Sequence, residues 1–248
     1  MRGAEAQLPT SSAVEGIGLT IGASGAIGAA CHARLRSTVT HPIASSRRPL
    51  GTVDIAGEWL PCDLNDASSR NAFVDAVAKI GVPLRYLVFA AGVAHRGTIA
   101  TATEEDWEAT LRTNLVGPAL VLSELSRQAR WMQGASVVAI GSLSARRAMP
   151  ARALYGASKA GFEHFFRSAA VELAPRGIAV NTISLGVTDT PFLAGGTDSL
   201  ADFTENRIPI RRLGEPEEVA QVVASVVASP GFLTGATIDL DGGAGILG

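Results

Sequence analysis

The sequence predicts an α/β fold, a Rossmann-type doubly wound and mostly parallel sheet of seven strands with helices on both faces. Two observations support this prediction. Short apolar runs typical of strands alternate with helical periodicity along the chain, and small residues follow several of the strands, as they do where a ligand approaches the backbone. No linker or internal repeat interrupts the alternation. We therefore expect one domain over residues 16–248, preceded by a flexible lead-in over residues 1–15.

The composition limits the kinds of partner that the protein could have. The 248 residues are 47% hydrophobic and 18% charged, as in ordinary globular proteins. A formal net charge of -2 predicts no general attraction to nucleic acid or to anionic membranes. No apolar run reaches the roughly 20 residues that span a bilayer, and the N-terminus lacks the apolar core of a signal peptide. Cys31 and Cys62 lack metal-ligand spacing, so we expect a cytoplasmic protein without a metal site.

The first strand, turn and helix together predict a phosphate-binding loop. A strand over residues 16–21 leads into the glycine-rich residues 22–28, and residues 29–36 favour a helix. Small residues let the backbone come close to a phosphate, and the N-terminus of a helix favours its negative charge. A tight turn that binds no ligand is the alternative interpretation of these glycines.

The second strand, predicted over residues 42–45, bears on the choice of cofactor. In dinucleotide-binding folds an acidic residue at the end of this strand binds the ribose 2′-hydroxyl, whereas a nearby arginine accommodates a 2′-phosphate. Residues 36–53 contain no Asp or Glu, while Ser45, Ser46 and Arg47 offer two hydroxyl donors and a fixed cation. These residues favour NADP(H) over NAD(H), unless the loop at Arg47 is only solvated and the choice is made elsewhere.

The remaining chain continues the alternation of strands and helices. Further strands are predicted over residues 58–61, 86–90, 136–140, 178–183 and 236–240. Irregular residues 187–205 are typical of a lid or substrate loop. Because the carboxyl ends of parallel strands meet at one edge of a sheet, we expect Gly22, Ala91, Ser142 and Gly186 to lie near one another.

Tyr155 and Lys159 are the first candidates for catalysis. They are four residues apart on a predicted helix, so both side chains should lie on one face. A neighbouring cation favours the phenolate and so lowers the pKa of a tyrosine, which would suit proton exchange with an alcohol or a carbonyl. Alone, the pair fits an ordinary amphipathic helix equally well, and the rest of the chain has to decide.

Taken together, these residues resemble the short-chain dehydrogenase/reductase family, in its single-domain branch that is like the 3-oxoacyl-ACP reductases. The resemblance covers nearly all residues from Gly16 to Gly243. The matching pieces follow the family's order and are the loop 22–28, Asp63, Ala91-Gly92, Asn114, Ser142, Tyr155, Lys159, Asn181, Leu185-Gly186 and the segments 212–218 and 233–243. Tyr-x-x-x-Lys is weak evidence by itself, whereas the ordered set is specific.

The resemblance implies an oxidoreductase that moves a hydride between a nicotinamide cofactor and a secondary alcohol or ketone. Tyr155 would be the general acid for reduction and the general base for oxidation, and Lys159 would lower its pKa and hold the nicotinamide ribose. Ser142 would hydrogen-bond the substrate oxygen, with Ser144 as the less favoured alternative. Asn114 would bind a water that links Lys159 to a proton relay, or would only satisfy buried backbone groups.

The resemblance also implies a set of cofactor contacts. The predicted cofactor-binding residues are Gly22, Ser24, Ala26, Ile27, Gly28, Ser46, Arg47, Asp63, Leu64, Ala91, Gly92, Tyr155, Lys159, Gly186, Val187 and Thr190. The chain departs from the family pattern at Ile21, Ala26, Phe89-Ala90 and Leu185. These departures bear on the tightness of cofactor binding more than on the chemistry.

Three expectations concern partners. Arg146, Arg147 and Arg152 lie between Ser142 and Tyr155, where they either border the mouth for an anionic or carrier-bound substrate or form a solvated or interface loop. A homodimer or homotetramer is expected, mainly from the resemblance. It is favoured by apolar residues in excess of one core-facing stripe, namely Leu120, Leu122, Phe162 and Phe166. A non-catalytic nucleotide-binding regulatory protein on the same fold is the alternative function.

Overall fold

A computed structural model describes residues 13–47, 58–191, 204–229 and 231–247. Its strands are β1 (Val14–Ile21), β2 (Val39–Ser46), β3 (Glu58–Pro61), β4 (Leu84–Phe89), β5 (Trp131–Ser142), β6 (Ile178–Leu185) and β7 (Thr237–Leu240). They form one sheet in the order β3-β2-β1-β4-β5-β6-β7, and every neighbouring pair is parallel. The crossover lies between β1 and β4, where the chain leaves β3 at the sheet edge and returns beside β1. The predicted fold class is confirmed.

Helices cover both faces of this sheet. They are α1 (Ala26–Leu35), α2 (Ala67–Lys79), α3 (Glu104–Leu111), α4 (Gly117–Gln128), α5 (Ala153–Leu173) and α6 (Pro216–Ala228). One core cluster packs α2, α4 and α5 against the sheet, and a second packs α1 and α6 against the opposite face. Strand β4 shows why helices pack on both faces of the sheet. Leu87 and Phe89 belong to the first cluster, whereas Tyr86 and Val88 belong to the second. Side chains alternate along a strand, so the uninterrupted run from Tyr86 to Phe89 packs against the helices on both faces.

Several predicted boundaries are wrong by a few residues. Strand β1 begins at Val14 instead of residue 16. Of the expected lead-in, residues 1–12 lie outside the described residues. Val14 is exposed but pairs with Val39 of β2. The strand extends this far through backbone hydrogen bonds, and a pattern of buried apolar residues does not reveal them. Strand β5 spans Trp131–Ser142 instead of residues 136–140. Of the predicted substrate loop, residues 192–203 are not described.

The prediction of interface residues on α4 and α5 is wrong for three of the four. Leu122, Phe162 and Phe166 are almost fully buried in the core, and the rings of Phe162 and Phe166 pack 4.6 Å apart, centre to centre. Leu120 is 40% exposed. None of the helices in the described ranges combines the length and the hydropathy that a bilayer-spanning segment needs. The same part of the chain holds no cluster of three or more His, Cys, Asp or Glu residues that could bind a metal ion.

Candidate active site

The carboxyl ends of β1, β4, β5 and β6 border one cavity of about 360 Å³. The predicted site residues that line it are Ser24, Ala26, Ile27, Gly28, Ala91, Gly92, Ser142, Tyr155, Lys159, Gly186, Val187 and Thr190. Those outside its lining are Gly22, Ser46, Arg47, Asp63, Leu64 and Asn114. The parallel topology thus brings together residues that are more than 160 positions apart in the sequence.

Lys159 is held at the centre of the cavity wall by the backbone of β5. Its Nζ donates a hydrogen bond of 2.8 Å to the carbonyl oxygen of Ile140 and lies 4.7 Å from the ring centre of Phe162. The side chain is buried, because α5 lies against the sheet at this point. Burial lowers the pKa of Lys159 to about 8, although the negative charge of Glu163 acts in the opposite direction.

Tyr155 lies one helical turn before Lys159 and is also buried. Burial raises the pKa of Tyr155 above its ordinary value, while a hydrogen bond with the Ser142 side chain and the charge of Arg152 lower it in part. Burial thus outweighs the two effects that lower the pKa, and the lowering expected from Lys159 stays a prediction. The phenol is consequently protonated at neutral pH.

Ser142 is the last residue of β5, and both its backbone and its side chain are engaged. Its Oγ accepts a hydrogen bond of 3.2 Å from the backbone N–H of Ser144. The hydroxyl of Ser144 instead donates to the sulfur of Met149, at 3.8 Å. The hydroxyl beside the Tyr155 phenol is therefore that of Ser142.

Asn114 lies on a π-helical segment, Arg112–Val116, that joins α3 to α4. Its Oδ1 accepts from the N–H of Val93 (2.8 Å), and its Nδ2 donates to the carbonyl of Val93 (2.9 Å) and to Ser158 Oγ (3.0 Å). Ser158 Oγ in turn donates to the carbonyl of Tyr155, at 2.7 Å. The fully buried amide of Asn114 thus connects the loop after β4 to α5, the helix that carries Tyr155 and Lys159. Single π-turns are frequent at functional sites, but the sequence does not reveal this one.

Glu163 is a site residue that the sequence analysis missed. Its carboxylate is buried, and Oε1 accepts a hydrogen bond of 3.2 Å from the backbone N–H of Ser142. A Cβ at Gly141 would come within 2.4 Å of this oxygen, so the glycine makes room for the carboxylate. The sequence signal that could have revealed Glu163 is its spacing. It lies four residues after Lys159 and therefore on the same face of the helix.

The three arginines between Ser142 and Tyr155 have different environments. Arg146 forms an ion pair with Asp239 and lies 3.9 Å from Glu163, and Arg147 donates a hydrogen bond to the carbonyl of Ala244. Arg152 lines the cavity, with its guanidinium carbon 5.7 Å from the ring centre of Tyr155. Of the two interpretations of this loop, bordering the cavity fits Arg152, whereas Arg146 and Arg147 bind neighbouring protein groups outside the cavity lining.

The N-terminus of α1 can hold a pyrophosphate. Its N-cap is Gly25, which places no side chain over the helix end, and the first turn contains no acidic residue. A Cβ at Gly28 would lie 2.2 Å from the carbonyl oxygen of Gly22, and one at Gly22 would lie 2.4 Å from the backbone nitrogen of Ala91. The helix start, the turn and the end of β4 are therefore in close contact, and their backbone donors suit an anion at the cavity wall.

The three residues predicted to hold a 2′-phosphate have different environments in the structure. Ser45 is fully buried and its hydroxyl makes no hydrogen bond within the described residues, so it cannot serve as a donor to a phosphate without a rearrangement. Ser46 is also buried, and its Oγ accepts a hydrogen bond of 3.2 Å from the indole of Trp59. Arg47 is exposed at the end of β2.

The adenine residues predicted from the resemblance lie just past β3, beside the start of α2. Asp63 Oδ1 accepts a hydrogen bond of 2.9 Å from the N–H of Asn65. Leu64 is buried, and its carbonyl accepts from Arg70 at 2.7 Å.

Comparison with known proteins agrees with this geometry. A family model described as enoyl-(acyl carrier protein) reductase matches residues 28–245. Carbonyl reductase family member 4 of Danio rerio is 34% identical over 188 residues, which are 76% of this chain and 77% of the relative. Dehydrogenase/reductase SDR family member 4 of Homo sapiens is 30% identical over 240 residues, covering 92% of this chain and 86% of the relative.

The fold has solved counterparts of the same kind. The crystal structure of a variant of actinorhodin polyketide ketoreductase with NADPH superposes with a TM-score of 0.82 at 26% identity, covering 94% of this chain and 99% of that chain. The cavity, its tyrosine and lysine, and the helix N-terminus that can hold a pyrophosphate therefore occur here on a fold that is shared with a ketoreductase.

Proposed function

Because the chain belongs to the short-chain dehydrogenase/reductase family, we propose that it transfers a hydride between a nicotinamide cofactor and a secondary alcohol or ketone, with NADP(H) preferred over NAD(H). One observation carries the proposal. Ser142, Tyr155 and Lys159 line the same cavity as the N-terminus of α1, so a proton donor and a dinucleotide site border one space. This arrangement gives no support to the non-catalytic alternative, which needs only the nucleotide site.

The side chains account for the proton half of the reaction. When bound, the nicotinamide supplies the hydride for reduction or accepts it in oxidation. In reduction, the hydroxyls of Ser142 and Tyr155 both donate hydrogen bonds to the carbonyl oxygen, which polarises it. The phenol proton of Tyr155 then moves to that oxygen as the carbon accepts the hydride, and the product is the alcohol. Oxidation is the reverse, with the phenolate taking the alcohol proton.

Two groups prepare Tyr155 for this role. Lys159, fixed on the carbonyl of Ile140 in the cavity wall, places a cation one helical turn from Tyr155, where it would stabilise the phenolate that is left after proton transfer. Asn114 holds the loop after β4 against α5 through Val93 and Ser158. The raised pKa of Tyr155 keeps the proton on the phenol, the form that a general acid needs in reduction.

A turnover assay tests the proposed activity. Purified protein is incubated with NADPH and a panel of aliphatic, aromatic and oxo-ester ketones, and the loss of NADPH absorbance is followed. We expect turnover of at least one ketone and a loss of more than about 100-fold in Tyr155→Phe, since general acid catalysis contributes on the order of 10²–10⁴ in rate. Full activity of that variant would contradict the mechanism.

The cofactor preference rests on the absence of an acidic residue over residues 36–47 and on the exposed guanidinium of Arg47 at the end of β2. Fluorescence titration with NADPH and NADH measures it directly. We expect tighter binding of NADPH, and Arg47→Gln should weaken NADPH about tenfold while leaving NADH unchanged. Tighter binding of NADH by the unaltered protein would overturn the assignment of Arg47.

Assembly and location complete the proposal. We expect a homodimer or homotetramer in the cytoplasm, built from residues 16–248 as one domain. Exposed apolar positions on α4 and α5, such as Leu120 and Val171, support the assembly. A monomeric mass by light scattering at micromolar concentration would refute it.

A further inference from the structure

We propose that Arg152 binds a carboxylate on the substrate, so that the preferred substrates are short-chain oxo acids and their hydroxy acids. This inference rests on the proposed function, because it names the substrate class of the same cavity. It concerns a residue that the proton and hydride chemistry does not require. The cavity lining contains one guanidinium among the described residues, that of Arg152.

The position of Arg152 sets it apart from its neighbours in the loop. Arg146 is neutralised by Asp239, and Arg147 is bound to a backbone carbonyl. Among the residues that the structure describes, no carboxylate lies within ion-pair distance of Arg152, whose charge faces the aromatic ring of Tyr155 in the cavity. A half-buried cation without a counter-ion is costly, and a bound anion would relieve that cost.

The loop before α5 is held in the conformation that presents Arg152. Ala151 has a φ of 56°, in the left-handed region that residues with a Cβ adopt rarely and at a cost. Its carbonyl accepts a hydrogen bond of 3.2 Å from the N–H of Gly97, in the loop after β4. The loop after β4 and the loop before α5 are therefore joined directly beside Arg152. Such strain persists where the surrounding structure fixes it, often at ligand-binding positions.

Arg96 adds a second positive charge to the same place. It precedes Gly97, so the Gly97–Ala151 hydrogen bond brings the two arginine positions together. The pKa of Arg152 lies below its ordinary value because of burial first and the charge of Arg96 second. Two neighbouring guanidinium groups repel each other, and a carboxylate between them or bound to one of them reduces that repulsion.

The proximity of Arg152 to Tyr155 limits how far the carboxylate can lie from the reacting carbonyl. The guanidinium carbon is 5.7 Å from the ring centre of Tyr155, and the phenol of that residue is the group that would contact the carbonyl. A substrate that reaches both side chains therefore carries its carboxylate close to its carbonyl. The phosphates of a pantetheine-type carrier are separated from their thioester carbonyl by a long flexible arm, and they would lie well beyond Arg152. The geometry therefore favours a free acid over a carrier-bound thioester.

The test compares an acid with its neutral ester in the same enzyme preparation. The substrates are 3-oxobutanoate and methyl 3-oxobutanoate, and kcat/KM is measured with saturating NADPH. The variants are Arg152→Gln, Arg152→Lys and the matched control Arg130→Gln. Arg130 is an exposed arginine just before β5, at the amino ends of the strands and so on the side of the sheet away from the cavity. The acid-to-ester ratio removes any effect that acts through Tyr155 or through folding, because such an effect changes both substrates equally.

We expect the unaltered protein to prefer the acid. Arg152→Gln should lower the acid-to-ester ratio about 10- to 100-fold, as for the loss of one charge-assisted hydrogen bond. Arg152→Lys should retain part of the ratio, and Arg130→Gln should leave it unchanged. The affinity for NADPH should stay the same in all three variants.

Three results would overturn the inference. The first is an equal loss for acid and ester in Arg152→Gln, which would mean that Arg152 acts only on Tyr155. The second is a weaker affinity of that variant for NADPH, which would assign Arg152 to the cofactor. The third is a preference of the unaltered protein for the ester, and this result leaves the proposed function intact. A failure of the proposed function looks different, since no ketone of any kind would then be reduced.

Discussion

The backbone N–H of Ser142 donates a hydrogen bond to the buried carboxylate of Glu163, 3.2 Å away. One carboxylate thus fixes the end of β5, where the catalytic serine lies, to the helix that carries Tyr155 and Lys159. Its negative charge also raises the pKa of both Tyr155 and Lys159. Glu163 is therefore a positioning residue in the structure, because it contacts the backbone of Ser142 and acts on the proton donor through space.

Replacing Glu163 separates its charge from its hydrogen bond. Glu163→Gln keeps an acceptor for the Ser142 N–H but removes the charge, so the pKa of Tyr155 should fall. The alkaline limb of kcat/KM for ketone reduction should then move to lower pH, because the phenol loses its proton earlier. Glu163→Ala should also lower kcat about tenfold or more, since the end of β5 loses its anchor. A pH profile of Glu163→Gln that coincides with that of the unaltered protein would contradict this account.

The two serines after β5 offer a matched pair of variants. Ser142→Ala should lower kcat about 10²- to 10³-fold, the effect typical of losing one donor to a developing oxyanion. Ser144→Ala should change kcat by less than about threefold, because its hydroxyl contacts Met149. Steady-state kinetics with a neutral ketone measures both. A larger loss in Ser144→Ala than in Ser142→Ala would reverse the assignment.

Burial of the charged Lys159 should lower the free energy of unfolding of the protein at neutral pH. Its pKa in the folded state is about 8, against an ordinary value of 10.5. Between these values the unfolded chain binds more protons than the folded one, so the free energy of unfolding should rise with pH over this window. Below pH 8 the full cost is present, on the order of 3 kcal/mol.

Lys159→Met removes this titration along with the activity. Losing the hydrogen bond to Ile140 offsets about 1 kcal/mol of the gain. At pH 7 the variant should therefore be more stable than the unaltered protein by about 1–2 kcal/mol, and the difference should shrink towards pH 10. Urea unfolding at the two pH values measures it. A variant that is less stable at pH 7 would show that burial of the lysine is not costly.

Asn114 should contribute to stability as well as to activity. Asn114→Ala removes the partners of the Val93 N–H and carbonyl and of Ser158, which should cost about 1–3 kcal/mol in unfolding free energy. Urea unfolding and ketone reduction, measured on the same preparation, report the two effects. Lost activity at unchanged stability would instead assign Asn114 to the proton relay alone.

The sheet could be predicted because its signals are local. Strand β4 is apolar or aromatic without interruption from Tyr86 to Phe89, and the glycine turn after β1 requires a close approach of the backbone, so both can be recognised without tertiary contacts. Tyr155 and Lys159 could be predicted for the same reason, since their spacing on one helix fixes their shared face.

The rest of the site depends on contacts between distant segments. Glu163 is buried beside Ser142 only because Gly141 has no side chain there. Arg146 and Arg152 lie six residues apart in one loop but have different partners. Arg146 pairs with Asp239 of β7, and Arg152 lies over the ring of Tyr155 on α5. Asn114 has its partners because of a π-turn that helical periodicity does not reveal. These relationships come from the folded backbone, which the order of residues alone does not specify.

The most direct test of the central claim follows the hydride itself. NADPH deuterated at C4, prepared separately on each face, is incubated with a ketone substrate, and the alcohol product is analysed by mass spectrometry and NMR. We predict one deuterium on the carbinol carbon from one of the two cofactors, and no labelled alcohol above background with Tyr155→Phe. Oxidation of NADPH without deuterium in the alcohol from either cofactor would contradict the account.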